Sequence, residues 1–147
     1  MVEQARHIFC CVLLAVAVLA GGAANAQSPA GNGGTINTNV FDGVSGRYAE
    51  GMKVDLVEVK GETINLVSTS TIDARGRADL ISGRPLAVGQ YELRFQVADY
   101  FRSRSVPVGD PPYLDYVPVR FSVDTPDGYY HVPLICTPWS YSTYRGS

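Results

Sequence analysis

From Met52 onward the chain alternates apolar and polar positions at the period of a β-strand, whose successive side chains point to opposite faces. In "GQYELRFQV" (89–97), Tyr91, Leu93, Phe95 and Val97 recur at every second position. "YVPVRFSVD" (116–124) repeats the pattern with Val117, Val119, Phe121 and Val123. "MKVDLVEV" (52–59) is less regular, with Val54, Leu56, Val57 and Val59 all apolar. "TINLVSTST" (63–71) follows across Lys60-Gly61-Glu62, which reads as a hairpin connection. "YYHVPLICTP" (129–138) and "YSTYRG" (141–146) complete the strand-like runs. Pro118 and Pro133 predict edge positions, bulges or irregular pairing, because proline cannot donate to a ladder. A single short helix is predicted near Ala98–Ser105. Six to eight strands separated by turn signals predict an all-β, antiparallel sandwich.

The first residues change the picture of where that sandwich resides. Arg6 and His7 precede an apolar run from Ile8 to Ala20, which ends in the small-residue pattern Ala24-Asn25-Ala26. This reads as a secretory signal peptide over 1–26, and it predicts a periplasmic or secreted protein. A membrane anchor is the weaker reading, because the run is short for a span. Cys10 and Cys11 lie inside the run, where a lipid anchor would not form. Residues 27–35 read as a Gly/Ser/Asn-rich disordered lead-in, leaving one domain over 36–147. Of the three cysteines only Cys136 falls in that domain, so no internal disulfide is available, and its apolar setting predicts a buried structural thiol. The net charge of −2 survives loss of Glu3 and Arg6, and no Lys/Arg cluster with interleaved aromatics is present. Nucleic acid and membrane surfaces are thereby disfavoured as partners, and Arg102 and Arg104 read as a solvated loop. Up to this point nothing chooses between an enzyme and a binding module.

Four stretches together resemble the transthyretin-like family, and within it the 5-hydroxyisourate hydrolase branch. The tail "HVPLICTPWSYSTYRGS" (131–147) resembles the C-terminal signature of that branch, which ends in Tyr-Arg-Gly-Ser. "INTNVFD" (36–42) with "GRYAEGMKVDLVEV" (46–59) resembles the opening strands. "IDARGRADLISG" (72–83) resembles a loop carrying an arginine after a glycine, and "LAVGQYELRFQVADYF" (86–101) the strand before the short helix. The resemblance implies a transthyretin-like sandwich of seven to eight strands with one short helix. It further implies a homotetramer with sites at the dimer–dimer interface, and hydrolytic opening of 5-hydroxyisourate to 2-oxo-4-hydroxy-4-carboxy-5-ureidoimidazoline. No metal and no organic cofactor is implied.

The same resemblance singles out residues. His131, by itself as readily a satisfied strand histidine, stands where the family has a catalytic histidine, and an imidazole with a pKa near ~6.5 can take a proton from water. Arg77 stands at the family arginine, where a guanidinium suits adjacent carbonyls or a developing oxyanion; Arg75 reads as a solvent-facing turn residue. Tyr144 maps to a substrate-binding tyrosine, although a sandwich-edge aromatic is the plain alternative. Ser147 would bring a hydroxyl and a carboxylate to the site, with Arg145 pairing that carboxylate and Gly146 permitting a turn. Asn39 is the departure: the family motif begins there with a second catalytic histidine. An amide can bind substrate or orient water but cannot act as a base, and losing such a group costs ~10²–10⁴ in rate. Tyr129 replaces another histidine, and Trp139 a tyrosine, which reads as a packing change. The competing expectation is a transthyretin-like protein that binds small ligands without turnover.

Overall fold

A computed structural model describes residues 33–147. The proposed signal peptide and most of the lead-in lie outside the described residues. Gly34 and Thr35 do not belong to a lead-in: the first strand, β1 (Gly34–Asp42), already includes them. The Thr35 amide donates to the Gly128 carbonyl. A Cβ on Gly34 would lie 2.3 Å from the Leu86 side chain, so this start is packed and needs glycine.

The hairpin read across Lys60-Gly61-Glu62 joins β3 (Lys53–Lys60) to β4 (Thr63–Thr71), with Lys60 opposite Thr63. Gly61 supplies the positive φ of +59° that the tight turn requires. β6 (Gly89–Phe95) and β7 (Val117–Val123) complete a sheet in the order β4-β3-β6-β7. β7 is an edge, which is why Pro118 is tolerated in it. The irregular apolar pattern of β3 has a cause: Leu56 enters the core while Val57 is covered on the opposite face, across from Glu92.

The second sheet is built on β1. It pairs antiparallel with β2 (Arg47–Tyr48) and β5 (Arg77–Arg84), and parallel with β8 (Tyr129–His131) and β9 (Leu134–Cys136); β10 (Tyr141–Thr143) closes on β9. The antiparallel expectation therefore fails for the two ladders on one side of β1. The chain reaches β8 by crossing over from β7 in the other sheet, so no hairpin dictates an antiparallel approach. The run 129–138 splits in two because Pro133 has no N–H to offer the ladder.

Between the sheets lie Ile36, Val40, Val54, Leu56, Leu93 and Phe95, all fully buried. Val97 opens the helix α1 (Val97–Ser103) rather than ending a strand, and with Tyr100 and Phe101 it packs one helical face into the core. Arg102 is in this helix, paired with Asp99, and Arg104 caps it; neither belongs to a loop. Cys136 is buried, and burial pushes its thiol up to about 12, with Asp42 adding to the effect. A buried thiol that stays protonated is a poor nucleophile, which fits a structural cysteine. No helix among the described residues is long and apolar enough to cross a membrane.

Candidate active site

Alternation along β1 sends Ile36 and Val40 into the core and Asn37, Asn39 and Phe41 to the outer face of the sheet. The neighbouring strands then set which groups meet. In the β1–β5 ladder Asn39 stands opposite Arg77, and in the β1–β8 ladder Asn37 stands opposite His131. Residues 38 to 54 positions apart in sequence (Asn39 to Arg77, and Arg77 to His131) are thereby gathered on one face.

Arg77 does not sit in a loop, as the resemblance suggested, but is the first residue of β5. The turn before it is held by Asp73, whose Oδ1 accepts from the backbone amides of Arg75 and Arg77, both at 2.9 Å. Gly76 completes that turn at φ +78°, and a Cβ there would meet the Tyr48 ring at 2.2 Å. Both constraints demand glycine. Arg75 is exposed and pairs only with Asp73, as expected of a turn residue. The Arg77 guanidinium has long contacts: Nη2 donates to the Tyr129 hydroxyl at 3.4 Å, and Nε lies 3.4 Å from Asp79. An exposed pair at that length is worth little, so the fork is available to a ligand.

His131 is half-buried. Its Nδ1 lies 2.5 Å from Oδ1 of Asn37, and its ring stacks with Tyr129 at 6.4 Å between centroids and 27° between planes. Burial pulls its pKa below the usual 6.5, the Arg77 charge pulls it further, and a backbone hydrogen bond of Asn37 works the other way. At neutral pH the imidazole is therefore unprotonated, the state a general base needs. The Tyr129 phenol is held below its ordinary value, first by the neighbouring Asn37 side chain, whose Nδ2 nevertheless falls outside hydrogen-bond geometry, and then by Arg77.

The tail is tied down. β10 pairs with β9, Thr143 donates its hydroxyl proton to the Pro133 carbonyl at 2.7 Å, and the Gly146 amide donates to the His131 carbonyl at 2.9 Å. Gly146 is needed for close approach and not for a turn: a Cβ there would lie 2.2 Å from Cδ2 of His131. Arg145 makes no ion pair with a carboxylate among the described residues; it shares a cleft with Asp124. Tyr144 is 62% exposed, beside His131 in two adjoining depressions of about 440 and 400 Å³. Asn39 lines the first of them. Ser147 is exposed at the end of the pinned segment. Trp139 is exposed as well, so its substitution is not a packing change within this chain.

The structure thus brings Asn39, Arg77, His131 and Tyr144 to one face, while Ser147 lines neither depression. Sequence reading missed Asn37. The signal was available, since two residues on one strand share a face and Asn37 precedes Asn39 by two. Among the described residues no group of three or more His, Cys, Asp or Glu side chains could hold a metal ion.

A family model described as HIUase/Transthyretin family matches residues 36–146. The chain is 48% identical over 114 residues to 5-hydroxyisourate hydrolase of Deinococcus radiodurans, covering 76% of this chain and 95% of that protein. Among solved structures, (S)-allantoin synthase superposes with a TM-score of 0.71 at 38% identity over 78% of this chain, and this chain spans 44% of its length. Klebsiella pneumoniae 5-hydroxyisourate hydrolase superposes with a TM-score of 0.66 at 26% identity, over 78% of this chain and 99% of that one. The chain belongs to the HIUase/transthyretin family.

Proposed function

We propose that this protein hydrolyses 5-hydroxyisourate, that it does so as an exported homotetramer, and that His131 is its base. The observation that carries the reading is the convergence of His131, Arg77 and the pinned tail on one sheet face, in a chain so similar to named hydrolases. Water attacks the ring amide carbon while His131 accepts its proton. Arg77 grips the adjacent carbonyl and neutralises the oxyanion as it forms. The carbon–nitrogen bond then breaks, and the imidazolium returns its proton to the leaving nitrogen. Asn39, opposite Arg77, orients water or ring through its amide, and Tyr144 hydrogen-bonds the ring from the tail. Ser147, one residue beyond the Gly146 that abuts His131, contributes its hydroxyl.

The same face supports the assembly. Phe41, Tyr48, Ile135 and Tyr144 are all exposed beside the site, an apolar surface that a second copy would cover. The signal-like segment over 1–26 supports export.

Purified protein should hasten loss of the near-ultraviolet absorbance of 5-hydroxyisourate made freshly from urate. Decay no faster than the spontaneous reaction would sink the reading. Asn39 motivates one competing outcome, a protein that binds the ring without opening it. Asn39→His separates the two: a rise of ~10²-fold or more from a near-zero rate marks a lapsed site. Light scattering should find a tetramer, and a fully active monomer would remove the assembly from the proposal.

A further inference from the structure

Asn37 is 0% exposed, yet it lies on the site face and not in the hydrophobic core. Its Oδ1 meets Nδ1 of His131, while its Nδ2 is buried with no hydrogen-bond partner. A residue kept only to fill space would be apolar and would leave no unpaired donor. The ring it touches is held on other sides too. Gly146 abuts Cδ2, and Tyr129 stacks alongside with its hydroxyl on Arg77. Rotation of the imidazole is blocked, so the nitrogen facing Asn37 stays the same.

We infer that Asn37 is a positioning residue: its carboxamide oxygen keeps the imidazole proton on Nδ1, so that Nε2 presents its lone pair to the attacking water. A carbonyl oxygen only accepts, and a neutral imidazole carries one N–H, so the contact selects one tautomer. Nε2 lies across the ring from Nδ1 and next to the Cδ2 edge that faces Gly146 of the tail, and Tyr144 lines the same depressions as the ring. This inference rests on the hydrolase reading for what Nε2 does, but the tautomer itself does not.

The ionisable groups around the ring are Arg77 and Asp79 from β5, Tyr129 from β8, and Tyr144 and Arg145 from the tail, with Asp124 across the cleft. All of these remain when Asn37 is changed, so opposite substitutions at this one position isolate its effect. Asn37→Ala keeps the backbone contact and removes only the side-chain acceptor on Nδ1, and the acid limb of kcat/KM moves to lower pH. Asn37→Asp places a carboxylate on Nδ1, favours imidazolium, and moves the same limb to higher pH. Alanine should also lower kcat by ~10² while leaving KM little changed. Asn37→Ser, which retains an acceptor oxygen, should recover part of that loss.

Nitrogen-15 spectra of the neutral imidazole read the tautomer directly in the full chain. It has only one other histidine, His7, which a His7→Gln variant assigns. Wild type should show a pyrrole-type Nδ1 and a pyridine-type Nε2, and Asn37→Ala should lose that preference. A protonated Nε2 in wild type would overturn the inference, as would Ala and Asp variants whose acid limbs coincide with that of wild type. If wild type opens no 5-hydroxyisourate the hydrolase reading falls, and the nitrogen spectra still decide the tautomer.

Discussion

The outer faces of the two sheets carry the same kinds of groups and treat them in opposite ways. On the four-stranded sheet Glu92 is 5% exposed, and its carboxylate accepts from Arg94 Nε at 2.8 Å and from Arg120 Nε and Nη2 at 3.1 and 2.9 Å. Burial pushes that carboxyl up, but the two arginines outweigh it and hold it below the usual 4.5. On the six-stranded sheet Arg77 reaches its partners only at 3.4 Å, His131 is held neutral, and Nδ2 of Asn37 has no partner. Charge alone therefore does not mark a site. Unspent hydrogen-bonding capacity beside a shifted base does, because a folded protein satisfies its buried polar groups unless another use competes.

The largest effect expected on this contrast is at His131. His131→Ala should lower the hydrolysis rate by ~10²–10⁴ while the thermal midpoint moves little, since the ring is only half-buried. A variant retaining most of its activity would leave the site face no more catalytic than the other. Arg77→Gln should reduce kcat by ~10²–10³ through loss of the charge on the oxyanion. It should also shift a pH limb, with a definite sign. Burial and then the Arg77 charge hold His131 below 6.5, so removing the charge raises its pKa and moves the acid limb upward, short of 6.5. An unmoved limb would show that Arg77 does not face the base.

Gly146→Ala is subtler, because its Cβ must displace either the ring or the tail. A shift of about 1 Å at a catalytic group costs ~10² in rate, so activity should fall on that scale with stability nearly intact. The smallest effect on activity is expected from Glu92→Gln. It should leave hydrolysis unchanged but cost about 1.5–3 kcal/mol of stability in denaturant titrations at neutral pH. Because the folded pKa of Glu92 lies below its unfolded value, its contribution is present above the unfolded pKa and lost as pH falls through the folded one. The variant should accordingly lose less stability than wild type on acidification below 4.5. Lost activity in this variant would break the contrast between the two faces.

Much of the fold was legible from alternation. The runs at 89–97 and 116–124 supplied β6 and β7, except that Val97 opens the helix, and the turn at Gly61 joined the hairpin as read. What was not legible was pairing. Only the resemblance places the arginine segment in a loop, yet Arg77–Arg84 is a strand recruited by β1. Tertiary pairing overrode weak local preference there. Among site residues, His131, Arg77, Asn39 and Tyr144 were reachable through the family's motifs. Asn37 is singled out by no motif, and only its alternation with Asn39 along β1 pointed to the site face; its contact with His131 needed the fold.

The sequence by itself determined a β-sandwich, the family, and the residues able to exchange or bind protons and carbonyls. It did so because side-chain alternation and short motifs are local properties. Only the tertiary structure decided that β8 and β9 run parallel to β1, which opposes His131 to Asn37, and that Gly146 lies on the imidazole. It also decided that one arginine-bearing face is saturated and the other is not. Those outcomes depend on register between segments remote in the chain, where a one-residue slip would turn every site group into the core.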